Sequence, residues 1–554
     1  MVSARWWKKA VVYQIYPRSF MDSDGDGVGD LPGITARLDH LRDLGVDAVW
    51  LGPHYDSPNA DNGYDIRDYR EIMPAFGTMA DFEEMLAQMQ ARGLRLILDL
   101  VVNHTSDQHA WFVQSRQGRE NPFRDFYIWR DGRDGGPPNN YPSIFGGPAW
   151  TFDEASGQYY LHSFTPGQPD LNWDNPRVRA EVYDIMRFWL DKGVSGFRMD
   201  VIAFISKRPG LPDLTVEELA HPERVYANGP RLHDYLREMN REVLSRYDAM
   251  SVGEAFGVAP EHAALLTDER RGELSMAFDF SLVDLPRTGG PHDWTLPQFK
   301  AVIARRDRSA GAHGWNGAFL GNHDQPRAVS HFGDDHPDWR MASAKTLASV
   351  LLTQRATPFI YQGEEIAMAN APFADIADFD DVWAKTLWRE QVETGRASAE
   401  AVLDRLRRSG RDNARTPMQW SPTVHGGFTT GAPWLKVNPD SLSVNVAAQA
   451  QDDGSVLSHY RRLIALRKSE SALVHGDFGD LEPSHPTVFA YTRRLGAKAF
   501  LVVANFDRNP IEYALSNPVR PTALVLSSEK DIVLPKSSVR LKGWHSVIFE
   551  IESR

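Results

Sequence analysis

Cysteine is absent from all 554 residues. That excludes disulfides, thiolate catalysis and cysteine-ligated zinc. Long apolar runs are also missing, and nothing approaches the roughly 20 residues that span a bilayer. The start, Met1-Val-Ser-Ala-Arg-Trp-Trp-Lys-Lys9, lacks the apolar core of a secretory leader. Positive charge is in the minority, 61 Lys and Arg against 74 Asp and Glu, for a net charge of −13. An acidic surface repels phosphate backbones and anionic membranes, so neither is an expected partner. These absences predict a soluble, cytoplasmic protein; a monomer or small homo-oligomer is expected, though no absence here fixes that state. What is present is ordinary for an enzyme, 42% hydrophobic and 24% charged residues. The length suits one large domain with additions.

The first part of the chain alternates short apolar runs with one-faced helices. Val11–Tyr16 and Val46–Leu51 read as strands. Phe82, Met85, Leu86 and Met89 follow the i, i+3, i+4, i+7 spacing of a helix with one apolar face. Leu94–Val102 then reads as a buried parallel strand. From Thr105 to Trp173 the rhythm breaks into Gly, Pro, Asn and aromatic residues, too long for a simple loop. The alternation resumes with Val178, Val182, Ile185, Met186 and Trp189 on one helix face, followed by strands at Val194–Met199, Ala249–Gly253, Gly317–Leu320 and Pro358–Tyr361. The expected fold class is α/β, a (β/α)8 TIM barrel with a small domain inserted after strand 3 and a C-terminal antiparallel β domain. The expected boundaries are 1–104 and 173–478 for the barrel, 105–172 for the insertion and 479–554 for the β domain.

Four segments place polar residues just after predicted barrel strands: Asp99-Leu-Val-Val-Asn103-His104, Gly196-Phe-Arg198-Met-Asp200, Gly253-Glu254-Ala255 and Asn322-His323-Asp324. The C-terminal strand ends of a barrel converge on one mouth, so these groups meet despite their sequence separation. A single acid there would be read as a helix cap. Several acids, two histidines and an arginine together read as an active site. Two carboxyl groups about 5 Å apart suit glycoside cleavage with retention, one as acid and one as nucleophile.

These segments resemble the four signature regions of glycoside hydrolase family 13, the α-amylase superfamily. The nearer likeness is to oligo-1,6-glucosidases and related α-glucosidases, through Tyr13-Gln-Ile-Tyr-Pro-Arg-Ser-Phe20, Asn62-Gly-Tyr-Asp65, Gln168-Pro-Asp-Leu-Asn172 and Arg415-Thr-Pro-Met-Gln-Trp420. The resemblance implies a retaining, exo-acting α-glucosidase with Asp200 as nucleophile, Glu254 as acid/base and Asp324 gripping ring hydroxyls. It implies that Arg198 keeps Asp200 ionised and that Tyr64, Asp65, His104 and His323 line the glucose subsite. Asp61 and Arg415 would close that pocket from behind, and Phe164 and Gln168 would shape its mouth. Val201 would favour α-1,6 linkages, because valine after the nucleophile accompanies that preference in the family. The implied partner is a small oligosaccharide substrate, with no organic cofactor.

In Asp22-Ser-Asp24-Gly-Asp26-Gly27-Val28-Gly-Asp30, carboxylates recur at nearly every second residue. Such oxygen-rich loops suit hard cations. The run imitates an EF-hand loop up to the glycine at position six, but position twelve is Gly33, so the bidentate Glu is missing. The resembling glucosidases hold a structural Ca²⁺ or Mg²⁺ here, which implies Asp22, Asp24, Asp26, the Val28 carbonyl and Asp30 as ligands.

Three rivals share the family's features. Amino-acid transporter heavy chains span a membrane and lack a complete catalytic set. Sucrose isomerases carry Arg-x-Asp-Arg near the mouth, where this chain has Asp284-Leu-Pro-Arg287. A trehalose-6-phosphate hydrolase would want a cluster of Lys or Arg near its pocket.

Overall fold

The computed structural model describes residues 5–285, 294–515, 519–530, residue 532 and onward to 552. Eight parallel strands close into a barrel. They are β1 (Val12–Ile15), β2 (Ala48–Leu51), β3 (Arg95–Val101), β4 (Gly196–Asp200), β5 (Met250–Glu254), β6 (Met276–Phe278), β7 (Asn316–Ala318) and β8 (Thr357–Tyr361). Closure is seen at Val12, which registers with Ala48 of β2 on one side and Phe359 of β8 on the other. Almost every strand residue is buried, which explains near-continuous apolar runs in place of alternation. β6 gave no sequence signal, because three residues between Ser275 and Asp279 are too few to show a period.

Helices cover the outside of the barrel. Met79–Ala91 starts at a reciprocal Thr78–Asp81 capping box and buries Phe82, Met85, Leu86 and Met89. Pro176–Asp191 starts on an Asn175 cap with proline in its first turn and buries the face expected for it. Gly196 opens β4 at φ +145°, and a Cβ there would lie 2.0 Å from the Met250 carbonyl oxygen of β5, so only glycine fits. Among the described residues no helix is long and apolar enough to cross a membrane.

Between β3 and β4 the chain forms a three-stranded antiparallel sheet of Trp129–Arg130, Gln158–Leu161 and Trp150–Asp153. The end of the chain forms a five-stranded antiparallel sheet from Asp477–Asp480, Val488–Leu495, Lys498–Asn505, Ser546–Ile551 and Pro521–Ser527. Its strands alternate between two cores. Phe489, Tyr491, Phe500 and Val502 join the barrel's core, while Val488, Ala490, Leu501 and Val503 pack in a second one. The stretch from 362 to 455, after β8, holds short helices including Val382–Trp388, Ala399–Ser409 and Asp412–Arg415. Only its Arg415–Trp420 portion was singled out in the sequence, yet it builds one wall of the site.

Candidate active site

A pocket of about 180 Å³ opens at the C-terminal ends of the barrel strands. Asp200, the last residue of β4, and Glu254, the last of β5, both line it. One buried guanidinium holds the two. Arg198 Nη1 donates to Asp200 Oδ1 at 2.7 Å and to Asp99 Oδ1 at 2.8 Å, and Nη2 donates to Glu254 Oε2 at 2.6 Å. The Val201 N–H donates to that same Glu254 oxygen at 2.9 Å. Each carboxyl is therefore anchored through one oxygen, leaving the other for the pocket. This fork is a use of arginine that lysine could not reproduce.

Arg198 was expected to keep Asp200 ionised. Its charge does pull in that direction, but burial pushes the Asp200 carboxyl well up, and Glu254 and Asp99 add to the rise.

Asp324 sits at the opposite charge extreme. Burial raises it, but His323, Arg411 and Arg415 overcome that and hold it well below the usual carboxylate range. Its Oδ1 accepts from Arg415 at 2.8 Å and Arg411 at 3.2 Å, and its Oδ2 lies 3.1 Å from His323 Nε2. It is a permanent anion facing the pocket and a fixed acceptor for hydroxyl groups.

The expected residues Asp61, Tyr64, His104, Phe164, Gln168 and Val201 also line the pocket. Tyr64 is fixed by its hydroxyl, 3.0 Å from Asp99 Oδ2 and 2.5 Å from His323 Nε2. His104 Nε2 donates to the Tyr64 carbonyl at 3.0 Å, and burial lowers its pKa to about 4, so the ring is neutral. Gln168 donates to Asp61 at 3.1 Å and so ties the inserted segment to the pocket.

Three expectations are corrected. His323 does not line the pocket. It is fully buried beneath Tyr64, with Gln14 Nε2 2.8 Å from its Nδ1. Asp65 does not line it either. Its two oxygens accept the N–H groups of Ala60 and Asp61 at 2.8 and 2.9 Å, so it shapes the loop that carries Asp61. Arg415 does not pair with Asp61. Arg411 does, at 3.3 Å, while also bonding Asp381, and Arg415 turns to Asp324 and the His323 carbonyl. Arg411 and Arg415 lie one helical turn apart, so sequence alone could not say which one reaches Asp61.

Sequence reasoning missed Arg411, Ile144, Phe145, Phe256, Phe280, Asp284 and Gln325, all of which line the pocket. The apolar ones come from loops whose composition marks them only as irregular. Arg287, the last residue of the Asp284-Leu-Pro-Arg287 stretch, lies outside the described residues.

Val201 has left-handed backbone torsions, φ 33° and ψ 39°. A β-branched residue there is strained, typically by about 1–3 kcal/mol, a cost found mostly at functional positions. The strain aims its N–H at Glu254 while its side chain borders the pocket.

The acidic loop lies apart from these groups. Oxygens of Asp22, Asp24 and Asp30 gather within 4.8 Å of one another. Asp26 stands outside that group. It is exposed, and its Oδ1 accepts the Val28 N–H at 2.7 Å. The alternating carboxylates suggested it as a ligand, but the turn leaves its oxygens outside the cluster that Asp22, Asp24 and Asp30 form. The loop packs on the 428–434 segment, where the Asp22 N–H reaches the Phe428 carbonyl at 3.1 Å and Trp434 N–H reaches the Gly27 carbonyl at 2.9 Å.

The family described as alpha amylase, catalytic domain, matches residues 14–476. The chain is a glycoside hydrolase and belongs to the α-amylase family. It is similar along its whole length to the oligo-1,6-glucosidase of Parageobacillus thermoglucosidasius, 50% identical over 99% of both chains. The oligo-1,6-glucosidase of Bacillus cereus is 46% identical over 99% of this chain and all of its own. Among solved structures, isomaltulose synthase from Erwinia rhapontici NX5 superposes with a TM-score of 0.97 at 52% identity, covering 99% of each chain. Trehalulose synthase from Pseudomonas mesoacidophila MX-45 does so with 0.97 at 50% identity, covering 99% of this chain and all of its own.

Proposed function

We propose that this chain is a retaining, exo-acting α-glucosidase that releases glucose from the non-reducing end of short α-glucosides, with α-1,6-linked ones preferred. The observation that carries the reading is the Arg198 fork, which presents one free oxygen each of Asp200 and Glu254 to a single small pocket. Asp200 attacks the anomeric carbon while Glu254 protonates the leaving oxygen, and Glu254 then activates the water that hydrolyses the glucosyl ester. Asp324 holds ring hydroxyls. The Asp61–Arg411–Asp381 cluster blocks the far end, which limits the pocket to a terminal sugar.

A dianionic sugar phosphate is a poor fit. The described lining holds five carboxylates, on Asp61, Asp200, Glu254, Asp284 and Asp324, against one guanidinium, that of Arg411. A sucrose-isomerising activity is a second reading, favoured by the 52% identity to a solved isomaltulose synthase. Sucrose separates the two: hydrolysis yields free glucose and fructose, whereas isomerisation yields a new disaccharide. We propose that the barrel comprises 1–104 and 173–478, with 105–172 inserted and 479–554 the C-terminal β domain.

The linkage preference rests on Val201 at the pocket's edge. A stiff β-branched side chain narrows the space beside the leaving sugar. An α-1,6 linkage has one more rotatable bond and carries the aglycone around it, whereas an α-1,4 linkage holds the next ring closer. A methyl-scale change in a pocket is worth about 1–3 kcal/mol, so the preference is quantitative. The expected result is a higher kcat/KM on isomaltose than on maltose, with Val201→Ala and Val201→Thr gaining maltose activity. Proton NMR of the first glucose formed is expected to show the α-anomer. Initial β-glucose excludes a double displacement, and a wild type that already prefers maltose removes the role given to Val201.

The acidic loop fits a hard cation, since its convergent donors are all carboxylate oxygens. We propose a structural Ca²⁺ or Mg²⁺ held by Asp22, Asp24 and Asp30, with the Val28 carbonyl as a further ligand. Bound there, the ion would staple the loop after β1 to the 428–434 segment. Chelation, or Asp22→Asn with Asp24→Asn, is expected to lower Tm by several degrees while leaving kcat nearly unchanged at low temperature. A Tm indifferent to chelator, with no metal found by elemental analysis, would remove the site.

A further inference from the structure

A second cavity, of about 880 Å³, lies behind the wall of the catalytic pocket. The two share a loop. Asp61 faces the catalytic pocket, while its neighbours Asn59, Ala60 and Asn62 face the outer cavity. We propose that this outer cavity is a second, non-catalytic binding site for a short neutral glucoside. The choice of ligand class rests on the glucosidase reading above.

Three features point to a sugar. The first is unused hydrogen-bonding capacity. The side-chain oxygen of Asn59 is buried without a partner. Asn62, only 9% exposed, lines the cavity beside it. Both residues are held at positive φ, 67° for Asn59 and 50° for Asn62. Strained backbone and an unsatisfied amide oxygen in one short loop are what a loop shaped for a ligand's hydroxyl groups would show.

The second feature is aromatic surface. Trp388 and Trp434 line the cavity and are half-buried. Trp434 is held rigidly, with Arg18 5.0 Å from its ring centre and its indole N–H donating to Ser19 Oγ at 3.2 Å. Rigid aromatic faces suit the apolar faces of a pyranose ring.

The third feature is charge. The described lining has three acids, Asp378, Asp380 and Glu393, and three bases, Lys385, Arg389 and Lys436. Lys385 lies 2.7 Å from Asp380 and Lys436 lies 3.6 Å from Asp378. The charges cancel, so nothing selects an anion or a cation, and a neutral polyhydroxyl ligand is favoured.

The test is calorimetric titration of the full-length Asp200→Asn protein with isomaltotriose. Two molecules are expected to bind per chain. Asn62→Gly removes the amide and tolerates the positive φ, and it is expected to weaken one of the two sites by roughly two- to tenfold, the worth of a lost hydrogen bond. Trp388→Ala is a second, independent variant expected to weaken the same site. Adding Asp324→Asn is expected to weaken only the other site. Binding of one molecule, or none, with no response to Asn62→Gly or Trp388→Ala overturns the proposal. A single molecule lost with those two variants, yet indifferent to Asp324→Asn, upholds the outer site and overturns the catalytic pocket assignment instead.

Discussion

Replacing Asp200 with asparagine is expected to abolish the glucosyl-enzyme intermediate and to lower kcat by more than the roughly 10²–10⁴-fold that one general acid/base contributes. An amide in place of the carboxylate keeps the shape and can still meet Arg198, so the fold should survive. Glu254→Gln is expected to lower kcat on isomaltose by about 10²–10⁴-fold. The two losses differ in kind. Glu254 donates a proton to the leaving oxygen, so a nitrophenyl glucoside, which leaves without help, should recover much of the first-step rate in Glu254→Gln. No leaving group should rescue Asp200→Asn, because the bond-forming oxygen itself is gone. Pre-steady-state measurement on both substrates checks this. Near-normal turnover by either variant, or rescue of Asp200→Asn by the activated substrate, would refute the roles assigned.

Arg198→Leu is expected to be the most damaging substitution for stability. The guanidinium is buried and serves Asp99, Asp200 and Glu254 together. Taking one partner out of such a cluster typically costs about 3–5 kcal/mol, because the charges left behind are buried without compensation. The loss should depend on pH. Without the cation, the clustered carboxyls escape the penalty only by holding protons, so their folded pKa values rise above the unfolded range near about 4. A carboxyl whose folded pKa is raised takes up protons on folding. Its stability is present at low pH and is lost as pH rises through the folded value. The Tm deficit against wild type should therefore be largest at pH 7–8 and shrink toward pH 5. Arg198→Lys should recover part of it, since the charge returns without the fork. A deficit of equal size at every pH would mean that lost packing, not charge, explains the damage.

Much of this was legible in the sequence. A carboxyl at a strand's C-terminal end, or in the loop just after it, has its place fixed by barrel geometry, so Asp200, Glu254 and Asp324 could be placed at the pocket before any coordinates. Long helices with one apolar face were legible for the same local reason, as at Pro176–Asp191. Partnership was not legible. Asp61 meets Arg411 across 350 positions, and the competing arginine sits one turn further along.

The sequence by itself determined the barrel, the carboxyls that line its pocket and the acidic loop, because period, strand ends and charge spacing are local properties. Only the tertiary structure decided which carboxylates are free to act. Asp65 looks like a sugar contact in the sequence, yet both its oxygens are taken by nearby backbone N–H groups, and Asp26 looks like a metal ligand, yet it lies outside the carboxylate cluster. Asp200 matches its motif whatever its protonation, but burial among acids and one arginine sets where its proton lies. Hydrogen-bond partners and dielectric surroundings come from packing of distant segments, and no local pattern encodes them.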